Sequence, residues 1–256
     1  MEPSIAGWAA LALAAAAGAA LQAATGFGFA ILAAPVFLGV LKSTSAVPIL
    51  IALHVVQCLF TVPRVWAHVP WRDFKRLASG AVLGCPFGLL LFRFLDVRQL
   101  KLCVGIVILV VTALLAWRRL RSTATQITTG NAEPQPGADT ARVVTGALSG
   151  VLTAVLVMPG PPLMVNLLRN PLPAARARAL SLSFFAACYL AVLIVHAASG
   201  ELNGPAASII GWLVVPVIAG TCAGLHAMRW LAERHFAPLM TALLLAAGLG
   251  AILSAL

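Results

Sequence analysis

Acidic side chains are the scarcest chemistry in this sequence. Asp and Glu together number 7 in 256 residues, and charged residues of both signs make up 9%. A soluble domain carries roughly 25% charged residues, so the chain lacks the polar surface to be one. A mean hydropathy of +1.01 agrees. The acids are Glu2, Asp73, Asp96, Glu133, Asp139, Glu201 and Glu233, and all lie outside the apolar runs. No intramembrane carboxylate is therefore present to relay protons or hold Na⁺ in the usual way. Paired cysteines are missing too. Cys58, Cys85, Cys103, Cys188 and Cys222 stand within apolar segments without a CxxC, which reads as small core residues and not as a disulfide framework or a metal site. HExxH is absent, and no cofactor is implied. Glu2 stands where a cleaved leader would carry basic charge, so the first apolar run is expected to remain in the protein.

What the chain does have is long apolar runs. Eight are read, at approximately Ile5–Leu41, Ala46–Val62, Leu77–Leu95, Leu100–Trp117, Val143–Leu168, Ala179–Ala198, Ala207–Met228 and Ala237–Leu256. Each approaches or exceeds the ~20 residues a helix needs to cross hydrocarbon. Barrel strands would alternate polar and apolar residues, and Leu102–Trp117 does not. The expected fold class is therefore an all-α polytopic membrane protein, with the lipid bilayer as a partner. The net charge of +10 sits in short loops such as Arg64–Arg76 and Arg118–Arg121. That is the pattern of orientation by cytoplasmic positive charge, and it argues against a nucleic-acid partner.

The polar stretch 118–142, rich in Ser, Thr, Gln, Gly and Pro, reads as a linker between a first transmembrane repeat, 1–117, and a second, 143–256. Each half opens with a long apolar segment interrupted by Gly or Pro: Thr25-Gly26-Phe27-Gly28-Phe29 with Pro35 in one, Met158-Pro159-Gly160-Pro161-Pro162 in the other. Each has a third segment with spaced glycines, at 80, 84 and 88 and at 220 and 224, interrupted by Pro86 and Pro216. The glycine faces are read as helix packing. They are also compatible with self-association into a homo-oligomer.

Charge placement orders the crossings. The Arg64–Arg76 loop and the 118–142 linker are both basic and are expected in the cytoplasm. A single crossing by the fifth segment would then place Arg176 and Arg178 outside. The conflict disappears if that segment enters and returns as a hairpin bent at Pro159–Pro162. A matching hairpin in Ile5–Leu41, made of two partial helices meeting inside the bilayer, makes the halves inverted repeats, a layout of secondary transporters. The loop carrying Arg93, Arg98 and Lys101 dissents from the charge rule under this scheme.

Breaks inside a membrane have chemical consequences. Gly and Pro release backbone groups from the helical ladder, and those groups must find partners or line a wet cavity. A half-helix starting there presents its positive end to an anion. Thr25, Gly26, Phe27, Gly28 and Phe29 form one expected wall of a substrate site, and Met158, Pro159 and Gly160 the other. Pro161 and Pro162 lack N–H groups, so the second wall offers fewer donors. Gln22, His54, Gln57 and Asn166 are the polar side chains expected to join them. Ser181, Ser183 and Tyr189 are read as hydrogen bonds between helices, His196 and His226 as interfacial histidines, and Arg176 and Arg178 as charges that set topology.

These features resemble a known family. Thr25-Gly26-Phe27-Gly28-Phe29-Ala30 followed by Ala34-Pro35, Val69-Pro70-Trp71-Arg72, and the stretch from Gly150 through Met158-Pro159-Gly160-Pro161-Pro162-Leu163 are similar to motifs of the sulfite exporter TauE/SafE family. The resemblance covers nearly the whole chain. It implies a multi-pass permease of the bacterial inner membrane that moves small sulfur-containing anions such as sulfite or organosulfonates, usually outward. Val155-Leu156-Val157-Met158 stands where that family is often richer in glycine. The departure suggests a more apolar pocket, suited to an organic sulfonate or carboxylate. A carboxylate transporter, a membrane-embedded enzyme and a scaffold subunit are the competing readings. An embedded enzyme should display a nucleophile with a base or a metal cluster inside the membrane, and no such constellation is found in the sequence; a scaffold would not require two matched breaks.

Overall fold

The computed structural model describes residues 4–122, 138–202 and 204–227. Among them every regular element is helical. In chain order the helices are α1 (Ile5–Thr25), α2 (Phe29–Leu41), α3 (Ala46–Val65) with a 3₁₀ turn at Trp66–His68, α4 (Trp71–Phe92), α5 (Val97–Ser122), α6 (Ala138–Leu156), α7 (Gly160–Arg169), α8 (Ala174–Ala198) and α9 (Gly204–Ala227). Six of the described helices are long and apolar enough to span a membrane: α1, α3, α4, α6, α8 and α9. The helices overrun the apolar segments at several ends. Thus α4 starts at Trp71 and α8 at Ala174, because the stems of Arg and Lys extend along a helix while their charges reach water. Both ends of the 118–142 stretch are helical. Residues 123–137 and the eighth apolar segment, Ala237–Leu256, lie outside the described residues.

Both expected breaks occur, and both reverse the chain. Gly26 and Gly28 adopt φ of 86° and 111°, values open to glycine and costly for other residues. Past them, Phe29 lies against Gly18, where an added Cβ would come within 2.9 Å of the Phe29 carbonyl. In the second half Asn166 Nδ2 donates to Thr145 Oγ1 at 3.3 Å across 21 residues, so α7 runs back along α6. The first arm is longer than the expected partial helix. With 21 residues, α1 is about 32 Å long and can cross the hydrocarbon, whereas the 13 residues of α2 reach only about 20 Å. The second pair repeats this with 19 residues in α6 and 10 in α7. Proline marks where α7 starts. Pro161 and Pro162 fall in the first turn of α7, where a missing N–H costs nothing.

Glycine seams join the halves. A Cβ on Gly80 or Gly84 would overlap the carbonyls of Val143 and Ala147, and one on Gly88 would stand 2.7 Å from that of Val151, so α4 packs backbone-to-backbone and parallel on α6. Gly220 and Gly224 meet the carbonyls of Ala16 and Ala20 in the same way, laying α9 parallel on α1. In lipid, where burial of apolar surface gives little drive to helix association, close approach of this kind is a main source of adhesion. Further contacts between the halves run from α3 to α8 and α9 and from α4 to α8.

One end of the molecule is basic. Val65 and Val69 cluster with Ala179 and Leu182, which brings the Arg64–Arg76 and Arg169–Arg178 loops together. Arg142 pairs with Asp73 at 3.2 Å, and Asp139 with Arg72 at 3.7 Å and with Arg76, fastening the start of α6 to that of α4 at the same end. Trp66 and Trp71 meet there edge to face at 4.7 Å, as expected of rings at a membrane boundary. The far ends of α4 and α8 meet through Phe92 and His196, 5.5 Å apart. The loop of Arg93, Arg98 and Lys101 lies at that opposite end, against the charge rule.

Candidate functional site

The first break is held by its own polar residues. Thr25 Oγ1 lies 2.8 Å from the carbonyls of Leu21 and Phe27 and accepts the Phe27 N–H at 3.1 Å, closing the turn. Gly26 N–H bonds the Gln22 carbonyl at 2.7 Å and ends α1. Gln22 Oε1 then accepts the Phe29 N–H at 3.3 Å. It thereby tethers the positive start of α2 and leaves the N–H groups of Ala30 and Ile31 without an acceptor in their own helix. With its oxygen so engaged, Gln22 turns its NH₂ the other way. Among the described residues that Nε2 is buried without a partner.

The second break ends α6 differently. Val157 N–H bonds Thr153 O at 3.0 Å and Met158 N–H bonds Leu152 O at 3.2 Å, a closing pattern normally built on glycine. Here the left-handed position is Val157, at φ 61°. A β-branched residue is strained there, and such strain collects at functional sites. Tyr189 donates its hydroxyl to the Val157 carbonyl at 3.3 Å, holding the turn from α8.

The two breaks meet. A Cβ on Gly160 would touch Phe27 Cδ1 at 3.2 Å, and the Phe27 and Phe185 rings contact edge to face at 5.5 Å. The His54 ring on α3 packs, tilted, between Phe29, at 4.0 Å, and Tyr189, at 4.3 Å. A continuous path of contact thus runs from break to break through α3 and α8. Gln57, one turn beyond His54, donates Nε2 to the Ala19 carbonyl at 2.8 Å. His54 and Gln57 are 0% exposed and Gln22 2%.

Of the residues expected from sequence, Gln22, Thr25 to Phe29, His54, Gln57, Met158, Pro159 and Gly160 gather in this region. Asn166 stands between the arms of the second hairpin, its amide engaged by Thr145. Ser181 bonds the Ala177 carbonyl of its own helix at 2.9 Å. His196 lies far off and pairs through Nδ1 with Glu201 at 2.6 Å.

Two further residues join the site. Tyr189 bridges His54 and Val157. Arg178 folds over the first break: its Cγ would stand 3.3 Å from a Cβ on Gly26. Its Nη2 donates to the Ala23 carbonyl, and its Nε is buried with no partner among the described residues. A positive charge is thereby fixed at the end of α1, against the first break. The partners of Arg178 lie in the other half of the chain, 155 residues away, so no local pattern marks it. An apolar hollow of about 580 Å³ between Val55, Leu59, Val62, Trp66 and Leu190 opens on another face of α3 and α8 and offers an anion almost no polar group.

No curated protein and no solved structure matches the chain. The family model described as sulfite exporter TauE/SafE matches residues 10–251. With its spanning helices, its paired breaks and that match across nearly its whole length, this multi-pass membrane protein belongs to the sulfite exporter TauE/SafE family, a family of transporters.

Proposed function

We propose that the protein is a permease for small sulfur-containing anions, sulfite or organosulfonates, and acts by alternating access around the meeting point of its two broken helices. The observation that carries this reading is the convergence of both breaks on one group of buried polar side chains in which, among the described residues, Gln22 Nε2 and Arg178 Nε lack partners. The start of α2, a preformed partial positive charge, the Gln22 amide and the Arg178 guanidinium all favour a negative solute. The rings of Phe27 and Phe185 favour an organic portion on it, as a sulfonate has. A small carboxylate would meet the same donors, and substrate competition separates the two. The carrier reading is supported by membership of a transporter family and by a site that groups acceptors, donors and aromatic faces.

Alternating access is supported by the exchange of like contacts between residues 1–117 and 143–256. Helix α1 pairs with α9 as α6 pairs with α4, the relation inverted repeats would produce. Positive charge supports a cytoplasmic side for the basic end and for the 118–142 linker, and the family supports a bacterial inner membrane as the location. Uptake of labelled sulfite and of sulfonates into proteoliposomes tests the proposal. Flux is expected, with competition among sulfur oxyanions. Folded protein that moves none of them overturns it.

A further inference from the structure

Building on that reading, the pattern of unpartnered atoms says more about the substrate than its charge. Three buried side chains of the site have had their orientation fixed by a backbone partner. His54 Nδ1 lies 2.8 Å from the Leu50 carbonyl. A carbonyl oxygen only accepts, so Nδ1 carries the proton, and Nε2 of the neutral ring presents a lone pair. Gln57 gives its NH₂ to the Ala19 carbonyl at 2.8 Å, which leaves Oε1, an acceptor, facing the other way. Gln22 uses its oxygen on Phe29 N–H at 3.3 Å, which leaves a donor. Among the described residues His54 Nε2, Gln57 Oε1 and Gln22 Nε2 are all buried without partners. The remaining faces of the His54 ring are covered by Phe29 and Tyr189. The described acids Asp73, Asp139 and Glu201 have cationic or histidine partners elsewhere, and Asp96 caps Gln99 N–H at 2.7 Å.

Half of this complement is thus the wrong sign for an anion alone. Arg178 and Gln22 offer donors, which an oxyanion satisfies. His54 Nε2 and Gln57 Oε1 offer lone pairs, which would repel an anionic oxygen and which a hydrocarbon tail would leave unsatisfied. The two acceptors sit one helical turn apart on α3 and share a face. We infer that the site selects an anion that also carries an O–H or N–H donor, with His54 Nε2 and Gln57 Oε1 as the specificity-determining acceptors. A site built to hydrogen-bond a hydroxyl or amine discriminates strongly against the analogue that lacks it, because its own buried groups are then left unpaired.

The test compares two sulfonates that differ in one hydroxyl, 2-hydroxyethanesulfonate and ethanesulfonate, with propanesulfonate as a control for size. Affinities are read from ligand-dependent thermal stabilisation of the purified full-length protein and from competition with labelled sulfite in proteoliposomes. The hydroxylated anion is expected to bind at least about tenfold more tightly than either alkanesulfonate. In Gln57→Leu that ratio should fall toward one, and His54→Phe, which keeps a ring between Phe29 and Tyr189, should lower it also. Equal affinity of all three sulfonates for the unaltered protein overturns the inference while the anion-carrier reading stands. That result would mean the orphaned groups satisfy one another when the site opens. Folded protein that binds none of the sulfonates and no sulfite overturns the carrier reading itself.

Discussion

At the scale of single residues, position in the backbone and position in the charge field decide different things. Gly28 adopts φ 111°, and a Cβ there would stand 2.7 Å from Leu21 Cδ2. Gly28→Ala therefore combines backbone strain with a clash and is expected to cost about 2 kcal/mol or more of stability, read as a lower melting temperature in detergent. Arg178→Ala acts on binding. Losing a charge-assisted contact should weaken sulfite-dependent stabilisation by about tenfold or more. Arg178→Lys should recover only part of it, since an ammonium cannot cover both the Ala23 carbonyl and a substrate with one planar fork. Unchanged sulfite affinity in Arg178→Ala would remove that residue from the site. Glycine and proline made both breaks visible in the sequence, because few residue types can stop a helix inside lipid. Arg178 and Tyr189 were legible only as a topology charge and a hydrogen bond between helices. Their partners, Ala23 and Val157, are distant in sequence, and nothing local reports which way a side chain near a helix end will fold.

Among the elements, the glycines sort into two kinds that composition alone cannot separate. Gly84 has the Ala147 carbonyl where its Cβ would be, whereas Gly39 on α2 and Gly211 on α9 have nothing within 4 Å. Gly84→Ala must push α4 off α6 and is expected to lose about 1–3 kcal/mol. Gly39→Ala and Gly211→Ala, in helices with room for a methyl, should be neutral or gain about 0.4–1 kcal/mol. Thermal unfolding of the three variants side by side decides whether the seam or simple helix propensity governs. The regular spacing at 80, 84 and 88 was the sequence signal for the seam, and the structure supplies its partner. Helix lengths were read less well. The first apolar run reads as two partial helices, yet α1 takes 21 residues, enough to cross, and α2 only 13. Pattern could not divide them, because lipid-facing and core-facing positions are equally apolar and the amphipathic contrast that marks a water-soluble helix is missing.

For the whole molecule, the contact of Val65 and Val69 with Ala179 and Leu182 fixes which loops share an end. Single cysteines at Lys75 and Arg176, both exposed, introduced into a variant without native cysteines, should react with an impermeant maleimide from the same side of the membrane. One at Ser199 should react from the other. Labelling of Lys75→Cys and Arg176→Cys from opposite faces would remove the second hairpin. The glycine seams carry a consequence for how such a chain can be divided. Each hairpin adheres most closely to a helix encoded in the opposite half, α1 to α9 and α6 to α4. If two bodies rock against each other during a transport cycle, neither is a continuous stretch of polypeptide: each is a composite, knitted from both ends of the gene. Cutting the chain between residues 122 and 138 would therefore not release two working modules, only two incomplete strands of a braid that must find each other before either can become a machine.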